Sequence, residues 1–136
     1  MIEDVAPRVV WEALMSDPDA VLVDVRTTAE WNFVGVTDLT QAGKQPVLLS
    51  WQVYPTMAEN PKFIDGLGAA HIGHEAKLYF ICRSGARSMA SALAAKVAGF
   101  THVYNVKDGF EGPVDARGHR GQVGGWKAEG LPWKQG

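Results

Sequence analysis

Cysteine is nearly missing: the chain of 136 residues carries one, Cys82. A single thiol excludes a disulfide within the chain and any multi-thiolate metal site. It also means that no second cysteine of the chain resolves whatever product Cys82 forms. Long apolar runs are missing as well. No stretch of about 18 apolar residues occurs, so the sequence offers no membrane-spanning helix. Neither sign of charge dominates, with 13 Lys and Arg against 15 Asp and Glu and a net charge of -2. That balance holds nothing to attract nucleic acid or an anionic lipid surface. The opening residues Met1-Ile2-Glu3-Asp4-Val5 are acidic and lack the cationic-then-apolar order of a secretory signal. The expectation is a cytoplasmic protein with neither nucleic acid nor membrane as partner.

What the sequence does hold is an ordinary globular composition, 46% hydrophobic and 21% charged, with enough length for one core and one domain over residues 1–136. Residues 7–16 read as a short amphipathic helix with Val9, Val10, Ala13 and Leu14 as its apolar stripe, stopped by Ser16-Asp17-Pro18. Ala20-Val21-Leu22-Val23-Asp24-Val25 is apolar without alternation, which suits a strand buried on both faces of a parallel sheet. Thr27 or Thr28 then caps a short helix through Ala29-Glu30-Trp31. Pro46 to Leu49 is a second candidate strand, and Asn60 to Leu67 reads as a capped helix with Pro61 in its first turn. Lys77 to Ile81 is a strand that runs straight into Cys82. Ala86 to Ala98 is an alanine-rich helix ended by Gly99, and Thr101 to Val106 is the last clear strand. Strands alternating with helices at this spacing predict an α/β fold with a largely parallel sheet. From 109 to 125 glycines punctuate a polar stretch without period; the expectation is a loop leading to Trp126 and Trp133, whose rings pack back on the domain.

The chemistry concentrates in Cys82-Arg83-Ser84-Gly85-Ala86-Arg87-Ser88. This segment lies between a strand and a helix, where a parallel sheet places its binding crevice. Gly85 frees the backbone to turn its amides toward the sulfur at the loop's start. The start of the next helix adds partial positive charge, and Arg83 and Arg87 add full charges. Each favours the anionic, nucleophilic sulfur, and the same cradle suits an anion or a persulfide. The plainer reading is a buried small hydrophobe at a strand end. It leaves two arginines, a glycine and two serines within six residues unexplained.

The segment resembles the active-site loop of the rhodanese family in its Cys-Arg-Ser-Gly-x-Arg-Ser form. Val23-Asp24-Val25-Arg26 with Glu30-Trp31, Ala98-Gly99-Phe100 with Val103 to Val106, and Gly125-Trp126 through Trp133 are similar to other stretches of that family in the same order. The resemblance spans about residues 5 to 133. It implies a sheet of about five largely parallel strands flanked by helices, and a sulfurtransferase of thiosulfate type. Cys82 would carry sulfur as a persulfide, and residues 83–88 would hold it. The partners implied are thiosulfate or another sulfane-sulfur donor and a small or protein thiol as acceptor, with no metal and no organic cofactor. Four residues separate Cys82 from Arg87, so the loop has six in all. Related cell-division-cycle phosphatases and some arsenate reductases use one more, which widens the cradle for phosphate or arsenate. The shorter loop favours sulfur, with those enzymes and a non-enzymatic sulfur carrier as the alternatives. The sequence departs from the family at Phe33 to Leu39, at Asp108-Gly109, and in the longer glycine-rich segment 109–125.

Asp24, Arg26 and Glu30 read as an ion-paired corner that holds the first strand-helix turn. Sulfur transfer to a thiolate needs no dedicated general base, which argues against acid–base work for them. His71 and His74 flank a glycine with no further ligand cluster and read as surface-loop residues rather than half a metal site. His102 reads as a structural strand residue and His119 as a solvated loop residue beside Arg117 and Arg120.

Overall fold

A computed structural model describes residues 2–135. Its central sheet is built from β1 (Glu3–Val5), β2 (Ala20–Asp24), β4 (Val47–Leu48), β7 (Lys77–Ile81) and β8 (His102–Val106), in the order β1-β8-β7-β2-β4. Every pairing is parallel. Four α-helices accompany it among the described residues, α1 (Pro7–Ser16), α2 (Thr28–Phe33), α3 (Phe63–Ala69) and α4 (Ala86–Val97), with a short 3-10 helix at Thr40–Ala42. Two small antiparallel pairs complete the chain: β3 (Val36–Thr37) with β9 (Trp133–Lys134), and β5 (Gln52–Val53) with β6 (Ala58–Glu59). The α/β class and the five parallel strands match expectation. Among the described residues no helix is long and apolar enough to cross a membrane.

The continuous apolarity of the central strands follows from cores on both faces. In β7, Leu78 and Phe80 enter one core with Phe63, Leu67, Ala92 and Ala95. Tyr79 and Ile81 enter the other with Val10, Leu14, Phe110 and Trp126. Cys82 continues the first phase, so it belongs to the core packed by α3 and α4. Helix α4 turns Ser88, Ser91, Ala92 and Ala95 inward, and these small residues let it lie close to the sheet. On the other face Trp126 is fully buried and donates its ring N–H to the Pro132 carbonyl at 2.7 Å, which ties down the glycine-rich tail.

Connectivity fixes the site. After β2 the chain moves to β4 on one side; after β7 it moves through α4 to β8 on the other. Neighbouring strands whose connections diverge leave a crevice at their carboxyl ends. The β2–α2 turn and the Cys82 loop therefore face each other across it.

Three local expectations shift. The helix expected from Asn60 begins at Phe63. The Asn60 side chain accepts from Lys62 N at 3.0 Å and its carbonyl accepts from Phe63 N at 3.2 Å, forming a turn that leaves Pro61 outside the helix. Strand β1, unmarked by any apolar pattern, forms because Glu3 to Val5 pair with Tyr104 to Val106 at the sheet edge. Trp126 packs inward as expected, whereas Trp133 is 41% exposed, its ring against Phe110 and the Lys127 ammonium.

Candidate functional site

Strand β7 ends at Ile81, and the chain turns at once through Cys82 to Gly85 into α4. Gly85 adopts φ 115°, a conformation closed to most side chains. The turn brings the Gly85 amide to 3.1 Å from the Cys82 Sγ, as a donor. Ser88, one turn into α4, places its hydroxyl 3.2 Å from the same sulfur. The amides of Arg83, Ser84, Ala86 and Arg87 have no acceptor among the described residues. Cys82 is 1% exposed, so it is as buried as a core residue and yet its sulfur accepts from a backbone amide.

Two residues outside the motif complete the support. Asn105 on β8 donates to the Gly85 carbonyl at 3.3 Å and to Asp4 Oδ1 at 2.8 Å, while its own carbonyl oxygen accepts from Ser88. The Gly85 carbonyl is thereby tied to β8 while its amide serves the sulfur. Sequence reasoning placed Asn105 in a strand and passed over it. The available signal was a lone carboxamide among apolar residues, a group that needs partners when buried.

The corner expected of Asp24, Arg26 and Glu30 divides in two. Asp24 and Arg26 are both fully buried and pair with each other, Nε to Oδ1 at 3.0 Å and Nη2 to Oδ2 at 2.7 Å. Arg26 also donates to the Gly35 carbonyl at 2.8 Å and lays its guanidinium 4.3 Å from the centre of the Phe110 ring. Glu30 does not join them. Its carboxylate accepts from Thr27 in the capping box of α2 and from Arg87 Nη1 and Nη2 at 2.7 and 2.9 Å. Burial pushes the Glu30 carboxyl up, but the Arg87 bonds and charge, with Thr27, together hold it below the ordinary carboxylate value. The same bonds raise Arg87 against the opposing effect of burial. Arg87 uses its planar fork to strap the start of α4 to the start of α2.

The glycine-rich segment supports the loop from behind. Phe110 N donates to the Cys82 carbonyl at 2.8 Å, and Glu111 N and Gly112 N donate to the Arg83 carbonyl at 2.9 and 3.1 Å. Gly109 is required for this approach. A Cβ there would stand 2.4 Å from the Cys82 carbonyl oxygen, and its φ is +63°.

A pocket of about 870 Å³ opens beside the loop. Arg83, Arg87 and Glu30 line it, and so do His119 and Arg120 from the segment expected to be a solvated loop. His71, His74 and His102 lie elsewhere. His74 rests edge-on against Phe100 at 4.6 Å, and His102 sits 3.8 Å from Glu75. No cluster of potential metal ligands forms among the described residues.

Comparisons with known proteins agree with this architecture. The crystal structure of Rv0390 from M. tuberculosis is similar at a TM-score of 0.89 and 48% identity, covering 98% of both chains. The uncharacterized protein RC0915 of Rickettsia conorii is 35% identical over 134 residues, 98% of each chain. The chloroplastic rhodanese-like domain-containing protein 4 of Arabidopsis thaliana is 29% identical over 121 residues, 88% of this chain and 23% of that protein. A family model described as the STR4 middle domain matches residues 4–136, nearly the whole chain. With the parallel sheet and the cysteine loop at its crevice, these matches mean that the chain belongs to the STR4 middle-domain family of rhodanese-like domains.

Proposed function

We propose that the protein is a sulfurtransferase that carries sulfane sulfur as a persulfide on Cys82. The observation that carries this reading is a buried sulfur that accepts from the Gly85 amide at 3.1 Å, with the Ser88 hydroxyl 3.2 Å away, inside a loop whose other amides have no acceptor among the described residues. In the loading step the Cys82 thiolate attacks the outer sulfur of a donor such as thiosulfate. The new Cys82–S bond forms as the S–S bond of thiosulfate breaks, and sulfite leaves with the electron pair. The product, Cys82-S-S⁻, places its charge on the outer sulfur, where the amides of residues 83–88 supply donors without reorganising. In the second step an external nucleophile takes that sulfur and the thiolate returns. Cyanide serves in an assay and a cellular thiol serves in vivo, in a reducing cytoplasm that keeps a lone thiol free.

The six-residue loop from Cys82 to Arg87 supports sulfur rather than phosphate or arsenate as cargo. The tie between Arg87 and Glu30 adds to this. An arginine held by a carboxylate in both its Nη atoms is poorly placed to receive a phosphate as well. The deciding experiment measures thiosulfate:cyanide sulfur transfer beside hydrolysis of a phosphate monoester and reduction of arsenate, each with wild type and Cys82→Ser. Sulfur transfer alone, lost in Cys82→Ser, is expected. Cys82-dependent phosphatase or arsenate activity without sulfur transfer would assign the site to the alternative chemistry.

A further inference from the structure

The pocket beside the loop is large for an inorganic donor. Its volume of about 870 Å³ falls among sites that enclose organic ligands, about 300–1,000 Å³, and thiosulfate fills a small part of it. Its lining residues are of two kinds. Val34, Met57 and Val114 are its apolar members, and Arg83 and Arg120 its cationic ones, with the His119 imidazole among them. Arg87 also lines it, but its charge is matched by Glu30 at 2.7 Å.

Arg120 is held for a purpose the loading step does not use. Its Nη1 donates to the Gly112 carbonyl at 2.7 Å, and the Gly112 amide in turn donates to the Arg83 carbonyl at 3.1 Å. The guanidinium is therefore fixed to the backbone that abuts the cysteine loop. Its Nε and Nη2 have no protein acceptor among the described residues. The stretch that presents it is ordered: Asp115 Oδ1 accepts from Arg117 N at 2.8 Å and from His119 N at 2.9 Å. Glu30 and Glu111 are the carboxylates on the pocket wall against Arg83, Arg87 and Arg120, a net positive lining that favours an anion. A guanidinium anchored at one nitrogen, with two more free, matches a carboxylate.

We propose that the pocket takes an organic thiol bearing a carboxylate, which docks that carboxylate on Arg120 while its sulfur takes the outer sulfur of the Cys82 persulfide. The inference rests on the sulfur-transfer reading and names its acceptor class. In the step, the acceptor thiolate forms a bond to the outer sulfur. The bond between that sulfur and Cys82 Sγ breaks, its electron pair stays on Sγ, and the acceptor departs as R-S-S⁻. No oxidant or reductant enters.

The test compares mercaptopropionate with its amide as acceptors for the thiosulfate-loaded protein, with rates referred to thiolate concentration. Loading is read separately by intact mass. Wild type is expected to favour the carboxylate by about tenfold in kcat/KM, the low end of what a charge-assisted bond contributes. Arg120→Gln keeps a donor for the Gly112 carbonyl but loses the charge, and its preference should fall to near parity. Arg117→Gln removes a charge from the same stretch, outside the pocket wall, and should keep the preference. Equal rates in wild type, a preference that survives Arg120→Gln, or equal losses in both variants would each overturn the inference. A protein that never loads sulfur fails the sulfur-transfer reading itself.

Discussion

Residues 82–88 and residues 109–125 both shape the surroundings of Cys82, and they do so by different physics. The cysteine loop works locally. Its glycine turns one amide toward a sulfur three positions earlier, and its serine reaches back from the first turn of α4. The glycine-rich segment works by proximity of distant backbone, bringing Phe110 to Gly112 against the Cys82 and Arg83 carbonyls. The contrast shows in their glycines. At Gly85 an added Cβ would meet nothing closer than 3.6 Å, so the demand is for φ alone. At Gly109 the demand is for φ and for space. One stretch positions the reacting atom; the other fixes the floor on which that stretch rests.

Breaking the anchor that ties the glycine-rich segment to the end of β2 should have the largest effect. Arg26 holds Asp24, Gly35 and the face of Phe110 together. Arg26→Leu leaves the Asp24 carboxylate buried without its cation, and removal of one partner of a buried pair costs about 3–5 kcal/mol. Urea unfolding should show that loss, and a change below about 1 kcal/mol would mean that water takes over the pairing. Gly109→Ala comes next. The clash at 2.4 Å and the left-handed backbone together should cost about 3 kcal/mol. Gly85→Ala sharpens the comparison, since the same change in the cysteine loop should cost about 1–2 kcal/mol of stability. Its sulfur-transfer rate should nonetheless fall by about tenfold or more, because the amide at 3.1 Å from the sulfur is misdirected. If Gly109→Ala melts no earlier than Gly85→Ala, the distinction between floor and cradle is wrong.

The smallest effect concerns the strap between α2 and α4. Glu30 is held below its ordinary value near 4.5, so the stability it contributes is present above that pH and is lost as pH falls through the lower, folded value. Glu30→Gln should cost about 1 kcal/mol near neutrality for this half-buried pair. The gap between wild type and variant should narrow on acidification below about pH 4.5. A gap independent of pH would show that packing, not charge, joins the two helices.

Much of the site was legible because its cause is local. Five residues from Lys77 to Ile81 end at a cysteine, and Cys82 to Ser88 carries its own turn and cap, so strand, loop and helix follow from one stretch. Thr27 with Glu30 is likewise a local signal, and the capping box is there. The partner of Glu30 was not legible. Arg87 lies 57 positions away, and nothing near Glu30 tells a carboxylate bound for Arg26 from one bound for Arg87. The polar Glu3 to Val5 become a strand only through β8, and β3 and β9 are two residues each, too short for any period to register. The floor formed by Gly109 to Gly112 escaped for the same reason. Gly109 answers to backbone more than twenty positions earlier and Gly112 to Gly124, twelve positions later, and sequence order carries no trace of either approach.

The most direct test of the central claim is the intact mass of the folded, fully reduced protein before and after thiosulfate. The expected result is a gain of one sulfur atom, removed by cyanide and absent in Cys82→Ser. An unchanged mass, with the cysteine shown to be free, would contradict a persulfide carried on Cys82.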